Sequence, residues 1–284
     1  MLSCAALITA SPSGVKVAGL GVGKRTLSVG IINYCWRLLA TAACFAVFGL
    51  GGLVLWVLVF PVLRIISGGR RFERIQWVVH KSFAAFLWLM EAVGVMRMEV
   101  IGAEKLRNCR GALVLANHPT LIDVVALVSL MPATSCVVKQ ALWLNPFLGG
   151  VVRAAGYISN SDSDSLIDDC ARALRRGRSL VVFPEGTRTQ PGEPLGFQRG
   201  AAYIALRSGV PVLPVLIDCS PSTLTKCEKW YQIPSRRFHL RIKVLDPISS
   251  NRWIESSETQ TIAARKLTRA FEGFFIKELS KWTC

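Results

Sequence analysis

The chain has 284 residues, 34 Lys plus Arg against 18 Asp plus Glu for a formal charge of +16, and 51% hydrophobic residues. Its mean hydropathy is +0.40, and so apolar and mixed a composition excludes a disordered chain or a coiled coil. The charge calls for a negative partner, and basic character joined to apolar character favours a membrane surface over free nucleic acid. Nine Cys are present, an odd number with no C-x-x-C pair. That argues against a zinc site or a secreted disulfide framework and for reduced thiols.

Residues 1–30 carry Gly, Ser, Ala and a few basic residues without a sustained period and read as a flexible extension. The apolar run at 2–10 has no basic region before it and makes a poor signal peptide. Residues 38–63 then contain no charged residue, between Arg37 and Arg64. As a helix this run is about 39 Å long, enough to cross a hydrocarbon core of about 30 Å with tilt. Gly49, Gly51, Gly52 and Pro61 leave a re-entrant helical hairpin as the alternative. Arg64, Arg70, Arg71, Arg74 and Lys81 follow the run, against Lys24, Arg25 and Arg37 before it. The asymmetry places the rest of the chain on the cytoplasmic face of the inner (plasma) membrane.

Over 72–96, Ile75, Val78, Val79, Phe83, Phe86, Leu89, Met90 and Val93 recur on helical spacing, with Trp77 and Trp88 among them and Arg71, Arg74 and Lys81 as a basic fringe. An amphipathic helix at the headgroup level fits this pattern, and a plain core helix fits it as well. Residues 31–96 thus form a membrane-inserted and interfacial unit. Residues 97–284 change character. β-rich runs at 96–101, 112–116, 135–139, 180–183, 212–217 and 238–244 alternate with helical runs at 121–130, 163–176, 200–208 and 259–281. This alternation predicts an α/β domain with a mixed, mostly parallel sheet flanked by helices, preceded by an N-terminal membrane helix or helical hairpin.

Two constellations carry chemistry. Asn117-His118-Pro119-Thr120-Leu121-Ile122-Asp123 directly follows a predicted strand, and ligands collect at the carboxyl ends of strands in α/β sheets. Asp123, little more than one turn into the next helix, can accept a hydrogen bond from one imidazole nitrogen of His118 and leave the other as a general base. The pair brings no nucleophile of its own, which suits activation of a hydroxyl on the substrate. A loop His and a helix-start Asp acting only as caps fit the same spacing. Phe183-Pro184-Glu185-Gly186-Thr187-Arg188 also follows a β run. Gly186 permits unusual backbone angles, Thr187 adds a hydroxyl and Arg188 a planar fork suited to phosphate. Arg199, at a helix start, is electrostatically awkward unless an anion sits beside it.

His118-x4-Asp123, Phe183–Arg188 and the later Val210-Pro211-Val212-Leu213-Pro214-Val215 occur in the order of three motif blocks of one family. The chain thereby resembles the membrane-bound glycerolipid (lysophospholipid) acyltransferases, and among them the 1-acylglycerol-3-phosphate acyltransferases. The resemblance covers about 95–248. It implies transfer of a fatty acyl group from an acyl-CoA or acyl-ACP thioester to the hydroxyl of a lysophospholipid acceptor, without an acyl-enzyme. It also implies His118 as base, Asp123 as its orienter, and Glu185, Gly186, Thr187 and Arg188 as the acceptor-binding block with Arg188 on the phosphate; Arg199, read from its helix start alone, is a second phosphate candidate. One block departs from the pattern: Gly156-Tyr157-Ile158-Ser159-Asn160-Ser161-Asp162 has no Arg where the family usually carries one. Arg153 or Arg199 can compensate, or the acceptor is another lysolipid. A thioesterase-like hydrolase using the same pair to activate water is the competing reading. Membrane lipids are expected partners and nucleic acid is not, since no zinc-finger or aromatic RNA-binding signature is present. No cofactor or metal is expected, because His80, His118 and His239 are scattered without a carboxylate cluster.

Overall fold

The structure, a computed structural model, describes residues 22–66, 68–160, 163–253 and 259–283. The expected extension over residues 1–30 lies outside the described residues as far as residue 21; from Val22 the backbone is helical. Helix α1 (Val22–Val54) continues through one π-helical turn at Leu55–Val59 into α2 (Phe60–Ile66). The uncharged run is therefore one continuous helix, and no hairpin turn forms at its glycines. The π turn has a local cause. Pro61 has no N–H, and its ring crowds the carbonyl one turn back, which a widened turn relieves.

Ile31–Ile66 is long and apolar enough to cross a membrane. Ile31, Ile32, Leu39, Leu50, Leu58 and Val62 are each more than half exposed, so this helix is no core helix of a globular domain and associates the chain with a membrane. Where it touches the rest of the protein the fit is close. A Cβ on Gly150 would fall 2.0 Å from the Trp56 ring, so only glycine lets Trp56 seat there. Arg37 is buried in α1, and its guanidinium donates to the Pro234 and Ser235 carbonyls, both at 2.7 Å, and to Asn33 Oδ1. Three acceptors compensate the cost of desolvating that cation.

A 3-10 turn at Gly68–Arg70 leads into α3 (Arg71–Ala92), which buries Ile75, Gln76, Val79, Phe86, Leu87 and Met90 and leaves Trp77 and Trp88 exposed. An α/β domain follows in the order β1 (Met96–Ile101), α4 (Ala103–Arg107), β2 (Leu113–Ala116), α5 (Asp123–Leu130), β3 (Thr134–Val138), α6 (Gln140–Trp143), α7 (Gly149–Ala154), β4 (Ile158–Ser159), α8 (Ser163–Arg175), β5 (Ser179–Val182), α9 (Arg199–Ser208), β6 (Val212–Ser220), β7 (Phe238–Val244) and α10 (Gln260–Thr283). The strands form a seven-stranded sheet in the order β1-β7-β6-β2-β5-β3-β4. Every neighbouring pair is parallel except β6 with β7, which bears out the mixed, mostly parallel α/β sheet. The expected strands and long helices are present within a few residues. The short elements α4, α6, α7 and β4 are additions, too brief for a hydrophobic period to mark them.

Side-chain alternation along the strands divides the core. Val114, Ala116, Val181, Leu213 and Val215 face α3 and α5, whereas Leu113, Leu115, Leu180, Val182 and Leu216 face α8, α9 and α10. Neighbouring strands β2 and β5 are thus followed by helices on opposite faces: β2 leads through α5 to β3, and β5 leads through α9 to β6. Such a switch in winding leaves a crevice at the carboxyl ends of the two strands. Both chemical constellations begin at that edge.

Candidate active site

Strand β2 ends at Ala116 and delivers Asn117, whose side chain continues the sheet pairing. Its Nδ2 donates to the Ile217 carbonyl and its Oδ1 accepts from the Ile217 N–H, each at 2.7 Å. This holds the chain straight for one residue past the strand, so His118 projects from a fixed point. Its imidazole Nδ1 lies 2.8 Å from Asp123 Oδ2. Asp123 is fully buried at the first position of α5, where the helix N-terminus favours a carboxylate. The Thr120 N–H also donates to Oδ2, at 2.7 Å, and the Thr120 hydroxyl to Oδ1. The carboxylate is therefore fixed by three donors, and the ring by the carboxylate.

The ring also stacks on Phe183, with centroids 4.2 Å apart, yet the His118 side chain keeps 17% of its surface exposed. With Nδ1 committed to Asp123, Nε2 is left as the second nitrogen. An imidazole that donates from Nδ1 carries its free lone pair on Nε2, the state needed to take a proton.

The second loop packs directly against the first. Gly186 has φ +68°, in the left-handed region where a Cβ is disfavoured, and this sharp turn brings Glu185 back towards β2. Glu185 is buried; its Oε1 accepts from the His118 backbone N–H at 2.8 Å and its Oε2 from the Thr189 hydroxyl. The Thr189 N–H in turn donates to the His118 carbonyl at 3.1 Å. Both carboxylate oxygens are engaged in bracing the two loops together. Burial, the largest influence, raises the Glu185 carboxyl above the usual carboxylate range despite those hydrogen bonds.

The sign follows. A carboxyl raised in the folded state holds its proton longer there than in the unfolded chain, so stability falls as pH rises through that window. Glu185→Gln keeps an acceptor for the His118 N–H and removes the titration. Relative to wild type, its thermal midpoint in detergent should gain as pH is raised from about 4 towards neutrality; a constant difference between the two melting curves across that range contradicts the assignment.

Arg188 Nη1 donates to the Leu224 and Thr225 carbonyls, both at 2.8 Å. Leu224 also accepts from the Leu121 N–H at 3.0 Å, so a segment beyond β6 closes over both loops. Thr187 is half-buried and Gly186 exposed on the same turn, while Arg199 is exposed at the first turn of α9 with no ion pair among the described residues. Arg153, considered as a substitute for the missing Arg, donates through Nη1 to the Trp143 carbonyl at 2.6 Å. Ser161 and Asp162, at the end of the departing block, lie outside the described residues. The sequence assigns no role to Asn117, Thr120, Phe183, Thr189 or Leu224. The first three lie inside the two constellations and Thr189 directly follows the second, where capping or bracing residues are expected, whereas nothing near Leu224 signals its role.

Cys219 lies near enough to the pair for the Asp123 charge to act on it. Burial first, and that charge second, push its thiol up to about 12. A thiol held neutral in this way is a poor nucleophile.

Residues 97–218 match the family model described as Acyltransferase. The chain carries an acyltransferase-family domain. The acyltransferase domain and its flanks are similar to curated relatives named 1-acyl-sn-glycerol-3-phosphate acyltransferase. The beta form of Homo sapiens is 29% identical over 200 residues, which are 67% of this chain and 66% of the relative. A relative from Saccharomyces cerevisiae is 29% identical over 184 residues, 62% of this chain and 58% of the relative. The chain thus spans less than two thirds of either relative's length. In fold it is similar to the crystal structure of the 1-acyl-sn-glycerophosphate acyltransferase PlsC from Thermotoga maritima. The TM-score there is 0.60 at 22% identity, covering 84% of this chain and 96% of that one. The domain's motif blocks at His118–Asp123 and Phe183–Arg188 both fall inside the matched span.

Proposed function

We propose that the protein transfers a fatty acyl group from an acyl thioester, acyl-CoA or acyl-ACP, to the free hydroxyl of 1-acylglycerol-3-phosphate, giving phosphatidic acid. The observation that carries this reading is the 2.8 Å bond between His118 Nδ1 and the buried Asp123 carboxylate, set at the crevice between β2 and β5. The names of the curated relatives support the same acceptor. In the reaction, His118 Nε2 takes the proton of the acceptor hydroxyl as its oxygen attacks the thioester carbonyl. The tetrahedral intermediate then collapses, the C–S bond breaks, and the imidazolium returns its proton to the leaving thiolate. Asp123 holds the ring in its tautomer and stabilises the imidazolium. The neutral Cys219 thiol supports direct transfer over a cysteine acyl-enzyme.

Glu185 and Gly186 shape the turn, and Arg188 and Arg199 supply the cations for the acceptor phosphate. The active domain sits on the cytoplasmic face of the inner (plasma) membrane, following the excess of basic residues from Arg64 onwards. An insoluble acceptor then reaches His118 without crossing water. The deciding experiment incubates membranes containing the protein with labelled acyl-CoA or acyl-ACP and a panel of lysolipids, and identifies the labelled product. Labelled phosphatidic acid is the expected product; free labelled fatty acid alone would replace transfer by thioester hydrolysis.

Arg188 is given two tasks, which one substitution separates. Arg188→Lys should raise KM for a phosphorylated acceptor about tenfold, since a point charge replaces a planar fork, and leave KM for the donor unchanged. An equal rise in both would reduce Arg188 to a clamp on the Leu224 and Thr225 carbonyls.

A further inference from the structure

A cavity of ≈370 Å³ lies between the edge strand β4 and α8, and none of its lining residues belongs to the His118 site. Its volume is in the range that holds a small ligand. The lining includes Arg172, Arg176 and Arg178 together with Asp169, Ser135 and Ser159. Asp169 Oδ1 lies 3.2 Å from Arg172 Nη1, while Arg176 and Arg178 have no carboxylate partner among the described residues. Two positive charges are therefore left in excess. Ser135 is only 1% exposed, and its hydroxyl and that of Ser159 are buried without a hydrogen-bond partner. Buried hydroxyls in proteins are ordinarily paired, so these two residues of the lining leave hydrogen-bonding capacity unmet beside the wall that carries the two excess charges.

The cavity's position narrows its ligand. Gly156 and Tyr157 precede β4, Arg176 and Arg178 precede β5, and Ser135 is the second residue of β3. These are the amino ends of the parallel strands, the opposite edge of the sheet from His118. The Arg178 guanidinium lies 5.3 Å from the centre of the Phe72 ring, and Arg71 lies 5.1 Å from the same ring. Phe72 comes just after the apolar helix ends at Ile66, where the chain leaves the hydrocarbon and meets headgroups. A phosphomonoester carries close to two negative charges at neutral pH, which matches the excess, and guanidinium groups bind it through charge-assisted hydrogen bonds.

We propose that this cavity binds the phosphomonoester headgroup of a membrane lipid, at a site separate from acyl transfer. The test places the full chain in phosphatidylcholine nanodiscs with or without a minor fraction of phosphatidic acid and follows hydrogen exchange. Phosphatidic acid should protect peptides spanning 165–178. The triple variant Arg172→Gln/Arg176→Gln/Arg178→Gln should lose that protection and bind phosphatidic acid vesicles about tenfold more weakly. Its melting temperature should match that of the charge-matched control Arg265→Gln/Arg269→Gln/Lys277→Gln, which should keep both properties. Equal losses in the two triples, or equal protection by phosphatidylglycerol, a phosphodiester, would overturn the site. Protection by soluble glycerol 3-phosphate in plain phosphatidylcholine discs would overturn the lipid source. Binding is read without turnover, so an enzyme inactive on every lysolipid would leave this result standing.

Discussion

His118→Ala should abolish acyl transfer to the proposed lysoglycerolipid acceptor while the protein stays in the membrane fraction. The expected fall in kcat is on the order of 10²- to 10⁴-fold, the range contributed by a positioned general base. Membrane association survives because it rests on the exposed apolar surface of Ile31–Ile66, not on the loop after β2. The fold survives too, since the His118 contacts to Glu185 and Thr189 run through its backbone N–H and carbonyl, which alanine retains. Labelled acyl-CoA, a lysolipid acceptor and a flotation assay read both outcomes. Undiminished transfer would remove the imidazole from the mechanism.

Asp123→Asn should lower kcat by a similar order while leaving KM for acceptor and donor nearly unchanged. Asp123 Oδ2 receives both the His118 imidazole at 2.8 Å and the Thr120 N–H at 2.7 Å, and Oδ1 receives the Thr120 hydroxyl. An amide has one acceptor oxygen. With that oxygen in the Oδ2 position it keeps the Thr120 N–H and His118 Nδ1 while the NH2 turns to the Thr120 hydroxyl, and what is lost is the negative charge that stabilises the imidazolium formed as the base takes its proton. The loss falls on kcat because an imidazolium left without its counter-charge raises the barrier to proton transfer while substrates still bind. A pH–rate profile adds a reading that a packing defect alone would not move: the limb reporting the imidazole should shift or vanish. Unchanged kcat with a raised KM would make Asp123 a binding group and not an orienter.

Both predictions concern neighbours in sequence, which is why the pair could be read from the chain. Four residues separate His118 from Asp123, and a strand end followed by a helix start can only turn that spacing into proximity. The same local reasoning exposed the membrane helix, because charge is absent over 38–63 whatever the chain does around it. It also exposed the alternation of strands and helices that predicts the sheet. Hydrophobic period, charge-free length and turn residues are local signals, and they survive in the order of amino acids.

Other features depend on residues far apart. Glu185 in sequence is an exposed-looking acid in a turn; the fold buries it and engages both its oxygens on the backbone and hydroxyl of the two loops. Leu224 carries no motif, yet its carbonyl joins Arg188 to Leu121. Arg37 reads as the last charge before a membrane run, and only the return of 234–235 shows how its charge is met inside the protein.

By itself the sequence determined the α/β class, the long apolar helix, the His118–Asp123 pair and the likeness of its domain to the acyltransferases. These are set by periodicity, composition and short spacing, which a chain carries before it folds. The tertiary structure decided which strands are neighbours, and hence that the loops after β2 and β5 share one crevice at a switch in winding. It also decided which acid braces and which cation remains uncompensated, and it opened the cavity under β4. The physical reason is that burial and pairing are properties of distance between segments, and strand order is not written in any one of them.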